Sequence, residues 1–190
     1  MPARLAEADQ MTIEEFLAFT DQRPDGERWE LIEGVAIMNP SPTQWHQTIA
    51  GNILMVLGQQ KQVSGATWTP MMGVGTRVPV SPRSLPQPDV YVQAGPPLNS
   101  ATTTDALVLF EVLSRSNTKA DKAWRKRVYA SVPNCQHYVT VAHACAEVVR
   151  YDRADGWQGV TITGLDGTLA LPAIAVTMPL RDIYRWTPIE

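Results

Sequence analysis

The chain lacks the marks of several broad protein classes. Cysteine occurs only at Cys135 and Cys145 in 190 residues. Two are too few for a disulfide framework and their spacing fits no zinc motif, so both are expected reduced and internal. Histidine occurs only at His46, His137 and His143, with no metal-ligand spacing, which argues against a zinc site. No apolar run approaches the roughly 18–20 residues that span a bilayer. The opening MPARLAEADQ carries no apolar stretch of the signal-peptide kind. These absences point to a cytoplasmic protein with no membrane partner. The net charge of −3 and pI near 5.6 exclude a uniformly basic nucleic-acid coat protein, though not a local basic patch. There is no internal repeat, no G-x-G-x-x-G after a strand and no G-x-x-x-x-G-K-[ST], and Ser114 and Ser116 lack the glycines of a nucleophile elbow.

What is present describes an ordinary core. Hydrophobic residues make up 44% and charged residues 18%, enough apolar surface to offset chain entropy. The length fits one domain, with residues 1–10 as a flexible tail and 11–190 as the folded unit. The 15 prolines cluster near positions 40–42, 70–88 and 96–97, which suits punctuated strands better than a helical bundle.

Helix signals occur three times. Thr12 and Glu15 form a capping box before Phe16, Leu17 and Phe19. Ser41 to Gln44 reads as a second box with proline at the first helical position, followed by a stripe of Trp45, Ile49, Ile53, Val56 and Leu57. Thr118 and Asp121 open a third helix running to about Ser131. Between them lie strand signals: Trp29 to Met38 with a turn or bulge at Glu33-Gly34, then 66–70, 75–80, 89–93, 106–113, 136–141, 147–152 and 159–163. The segment 181–186 closes the chain as a strand or short helix. The fold class is α/β (α+β), with a mixed central β-sheet flanked by helices.

Two carboxylates stand out. Asp89 follows Gln87-Pro88, where a turn role is the ordinary account. Glu111 interrupts the most apolar run in the chain, ALVLFEVL, and a carboxylate there is costly to bury unless paired or bound to a cation. It stands either at an exposed strand end, paired with an arginine, or in a site. Directly downstream, residues 115–127 hold six cations (Arg115, Lys119, Lys122, Arg125, Lys126 and Arg127) against one acid, Asp121. Such a run is ordinarily a solvated helix face. Here Lys119, Lys122 and Lys126 lie near one face, extended by Tyr129, beside the strand that carries Glu111. Carboxylates for a divalent ion next to cations for phosphate are what metal-assisted phosphodiester cleavage requires.

The segments Pro88-Asp89, Glu111-Val-Leu-Ser114, Asp121 to Tyr129 and His137-Tyr-Val139 resemble the Uma-type restriction endonuclease family of the PD-(D/E)XK nuclease superfamily. Thr12 to Leu17, Trp29 to Gly34, and Met38 to Pro42 followed by His46-Gln47 extend the likeness, which spans about residues 11–157. The resemblance implies a restriction-endonuclease-like core acting on DNA as a metal-dependent endonuclease. It implies Mg²⁺ or Mn²⁺ held by Asp89 and Glu111, with the Val112 carbonyl as a further donor. It also implies a lysine that orients or deprotonates water.

At that lysine the sequence departs from the pattern. The usual position, two residues after the glutamate, is Leu113. In the resembled family the lysine lies four residues before the tyrosine, and here that is Arg125, with Lys126 beside it. Arginine is no general base, although it binds phosphate. Either Lys122 or Lys126 takes the role, or catalysis is weak and the protein binds nucleic acid or a protein partner without cutting. Glu30 is a further candidate acid, although strand alternation would expose it opposite Leu31. His46 reads more readily as a packed or capping residue than as a ligand, and His137 as structural. Most of the six tryptophans belong to the core or a subunit interface; Trp124, on the basic helix, is the one positioned to meet a base. A homodimer is expected, because closed pairs are the commonest oligomers and suit double-strand cutting.

Overall fold

The computed structural model of the chain describes residues 10–114 and 117–189. The expected tail falls mostly on residues 1–9, outside the described residues, as does Arg115 of the basic run. Gln10, the last residue of that tail, is tied down: Arg83 Nη1 donates to its Oε1 at 2.9 Å.

Helix α1 (Ile13–Thr20) starts at the expected capping box, with the Glu15 N–H donating to Thr12 Oγ1 at 3.2 Å and the Thr12 N–H to Glu15 Oε2 at 2.8 Å. It buries Ile13 and Phe16 against a hairpin of β1 (Arg28–Ile32) and β2 (Val35–Asn39). The two-residue turn has both φ angles positive, 49° at Glu33 and 81° at Gly34. That conformation matches the twist of the flanking strands. A β-carbon on Gly34 would also meet Gln10 Cβ at 2.7 Å, so glycine is required there twice over.

Helix α2 (Gln44–Ser64) begins later than the sequence suggests. Its N-cap is Thr43, which accepts the His46 N–H at 3.3 Å, so Ser41 and Pro42 stay outside the helix. Ile49, Ile53 and Leu57 form the buried stripe. Trp45 departs from it: at 49% exposure it borders a cleft instead of the core. Gly65 ends the helix in the left-handed conformation.

After α2 come β3 (Thr69–Met71), β4 (Gly75–Thr76), β5 (Val90–Gln93), β6 (Thr102–Thr103), β7 (Ala106–Leu113), α3 (Lys119–Ala130), β8 (His137–Ala142), β9 (Glu147–Asp152), β10 (Gly159–Thr163), β11 (Thr168–Leu171), β12 (Val176–Pro179) and α4 (Leu180–Ile183). A six-stranded sheet has the order β10-β9-β8-β7-β5-β3. It is antiparallel except at β7–β8, which α3 joins as a crossover. The expected strand at 75–80 shrinks to the two-residue β4, paired in parallel with β6. Strands β11 and β12 form a further hairpin that the sequence patterns do not reveal.

Alternation along the central strands separates two cores. Val90, Val92, Val108, Phe110, Val112, Val139 and Val141 pack toward α2, β11, β12 and α4. Tyr91, Leu109 and Tyr138 pack with Val128 and Tyr129 of α3 on the opposite face. Both faces of β7 are therefore covered, which is why its sequence is a continuous apolar run. Thr118 and Asp121 form a complete capping box on α3. Cys135 is buried, but Cys145 is exposed, against expectation, in the turn between β8 and β9. No helix among the described residues is long and apolar enough to cross a membrane.

Candidate functional site

Glu111 lies on β7 with the same parity as Leu109, so it faces α3. Asp89 precedes β5, and its N–H donates to the Phe110 carbonyl at 3.0 Å. Continuing the register Val90↔Phe110 by one step sets Asp89 opposite Glu111 on the same face. The Val112 N–H donates to Asp89 Oδ2 at 2.8 Å, which fixes the carboxylate's orientation. Both acids sit in an open cleft of about 730 Å³ that Glu30, His46, Val112 and Arg125 also line.

Arg125 holds the acids together. Its Nη1 donates to Glu111 Oε1 at 2.9 Å and to Glu30 Oε1 at 3.1 Å, and its Nη2 to Glu30 Oε2 at 2.7 Å. This is a bidentate fork on one carboxylate with a third bond to another, a geometry that planar guanidinium provides and a lysine ammonium does not. One turn further along α3, Tyr129 Oη donates to Glu111 Oε1 at 2.7 Å. Glu30 is 3% exposed, not at the surface as alternation suggests, because β1 is covered on both sides. The Gln87 N–H at 2.6 Å and Asn39 Nδ2 at 2.9 Å complete its partners.

The two buried acids titrate in opposite directions. Burial pushes the Glu111 carboxyl up, and the charges of Asp89 and Glu30 add to it; Arg125 and the Tyr129 bond oppose without prevailing, leaving it at about 8. At Glu30 burial also acts upward, but the Arg125 charge and fork, with the Gln87 and Asn39 bonds, outweigh it and hold the carboxyl below its usual range. Burial likewise raises the Tyr129 phenol well above its usual value, so it is a donor to Glu111 and no base.

Asp89 has its own neighbours. Arg28 Nη2 is 3.6 Å from Oδ1 and His46 Nε2 is 3.3 Å from Oδ2. His46 Nδ1 is buried without a hydrogen-bond partner. A tautomer with the proton on Nε2, facing Asp89, leaves only a lone pair unpaired at Nδ1, which is the cheaper arrangement. Arg28 is a site residue that the sequence did not single out, although it shares a strand face with Glu30; His46 read as a packed or capping residue, and only the tertiary fold brings the first turn of α2 to Asp89.

The cations of α3 part company. Arg125 enters the cleft. Lys126 does not: its Nζ lies 5.2 Å from the centre of the Tyr151 ring and 3.5 Å from the Trp157 carbonyl. Lys119 is exposed and Lys122 half-exposed, and neither lines the cleft. Tyr129 is fully buried and belongs to the Arg125 face. Trp124, expected near a base, instead donates Nε1–H to Glu33 Oε1 at 3.0 Å.

Among the described residues, no group of three or more His, Cys, Asp or Glu side chains is gathered so as to hold a metal ion alone. The donors in the cleft are those of a different kind of site. Mg²⁺ keeps several waters and takes only one or two carboxylates from the protein. Asp89 and Glu111 supply that oxygen pair, set opposite one another in the cleft. The residues present fit a hard divalent cation of that class.

Sheet, crossover and carboxylate pair define a restriction-endonuclease-like nuclease fold. The model of the Uma2 family, "Putative restriction endonuclease", matches residues 13–181, and the chain belongs to that family. In three dimensions the chain is similar to the crystal structure of "a putative nuclease belonging to DUF820" from Anabaena variabilis, with a TM-score of 0.74 and 16% identity, covering 93% of this chain and 98% of that one. No curated protein matches the chain.

Proposed function

We propose that the chain is a Mg²⁺- or Mn²⁺-dependent endodeoxyribonuclease that hydrolyses phosphodiester bonds in DNA. The observation that carries this reading is Asp89 set against Glu111 across two central strands in an open cleft. Asp89, Glu111 and the Val112 carbonyl would hold the cation, which when bound polarises the scissile phosphate and acidifies the attacking water. The Val112 N–H and His46 orient Asp89. Arg28, partly exposed beside Asp89, is positioned for a phosphate oxygen. The cleft meets a second hollow of about 510 Å³ that shares Arg28, Gln87 and Asp89 with it. Lys119 and Lys122 on α3 would add phosphate contacts beyond the cleft.

Plasmid incubated with Mn²⁺ or Mg²⁺ should be nicked, and Asp89→Ala should abolish the nicking, since a principal metal ligand is lost. Retention of nicking by Asp89→Ala would remove this assignment.

One observation favours a second reading, a nuclease-fold protein that binds DNA or a protein without efficient cutting: none of the described residues lining the cleft is a lysine. Salt-dependent DNA binding with no turnover in either metal would favour it. In either reading we propose a homodimer, which sedimentation equilibrium tests directly.

A further inference from the structure

Three buried or nearly buried carboxylates, Glu30, Glu111 and Asp89, border one cleft. Arg125 engages two of them. Its guanidinium lies between Glu30 and Glu111 with bonds of 2.7–3.1 Å to both, occupying both oxygens of Glu30 and Oε1 of Glu111. Tyr129 takes Glu111 Oε1 as well.

We propose that Arg125 is a built-in cation standing where a second divalent ion would otherwise bind, so that the site takes one metal ion. Glu30 is then a counter-ion of Arg125, not a metal ligand. The donors outside the Arg125 fork are the remaining oxygen of Glu111 and the Asp89 carboxylate, which the Val112 N–H orients. A lysine at 125 would place a compact point charge there, without the planar fork that holds both oxygens of Glu30 while reaching Glu111. Arginine therefore trades the proton-transfer capacity of a lysine for a fixed charge that holds Glu111 in place. Arg125 is a positioning residue in this account. The inference rests on the divalent-cation reading above.

Calorimetric titration of the full chain with Mn²⁺ tests it, with electron paramagnetic resonance to detect coupled manganese pairs. The wild type should bind one Mn²⁺ with no pair signal, and Arg125→Gln, if folded by circular dichroism, should bind two. A second measurement does not depend on that variant folding: the slowly exchanging guanidinium N–H signals of Arg125 should persist when Mg²⁺ saturates the wild type. Two Mn²⁺ on the wild type, one on folded Arg125→Gln, or loss of the guanidinium signals with Mg²⁺ would each overturn the inference and leave the metal reading standing. No Mn²⁺ bound by wild type or variant would remove the metal reading and this inference with it.

Discussion

Removing the Arg125 guanidinium leaves the buried carboxyls of Glu30 and Glu111 without their shared counter-ion. Breaking a buried pair by deleting one partner is far costlier than replacing the pair, so Arg125→Met should destabilise by about 3–5 kcal/mol. Urea unfolding followed by tryptophan fluorescence checks this, and Arg125→Met combined with Glu30→Gln should recover part of the loss. Glu111 gives a pH dependence of definite sign. Its folded value of about 8 lies above the ordinary 4.5, so the folded state holds a proton that the unfolded chain releases. The stability that this proton contributes is complete below about pH 4.5 and is lost as pH rises through 8. Glu111→Gln should flatten the stability curve between those limits; a parallel curve would show that Glu111 does not titrate there. In the sequence Glu111 was conspicuous as the only charge in an apolar run, whereas Glu30 was read as exposed. The difference is physical: alternation describes a strand with one wet face, and β1 has none at Glu30.

At the scale of elements, α3 delivers the site. It carries Arg125 and Tyr129 four residues apart, so both reach Glu111 from one helix face. Its start is set by the Thr118–Asp121 capping box. Thr118→Ala should cost about 1 kcal/mol in unfolding free energy, and Thr118→Ser much less, measured by thermal or urea denaturation. Equal losses for the two variants would mean that the cap contributes little. Local signals of this kind were readable in advance: both capping boxes, the left-handed turn at Glu33-Gly34 and the bounds of β7, β9 and β10 follow from nearby residues. The cap of α2 misled, because Ser41 and Thr43 are both good caps and only the hydrogen bond to His46 decides between them. The two-residue β4 and β6 and the hairpin of β11 and β12 carry too few residues for a pattern to emerge.

For the whole molecule, the net charge of −3 conceals a basic helix, but the fold spends much of that helix's charge internally. Arg125 is committed to two carboxylates, Lys126 stacks on Tyr151, and Arg127 lies 3.7 Å from Glu33. Lys119 is exposed and Lys122 half-exposed, and Arg127 is exposed beside the likewise exposed Glu33. Replacing Lys119 and Lys122 by glutamine should reduce the salt dependence of DNA binding by about two in the log–log slope, read by fluorescence anisotropy. An unchanged slope would place the phosphate path elsewhere. The sequence by itself determined the three long helices, the main strands of the central sheet and the family, and it singled out Asp89 and Glu111, since these depend on periodicity, caps and one costly charge in an apolar strand. Only the tertiary structure decided which cation enters the cleft, because neighbouring residues on a helix point about 100° apart and a local charge count cannot tell Arg125 from Lys126.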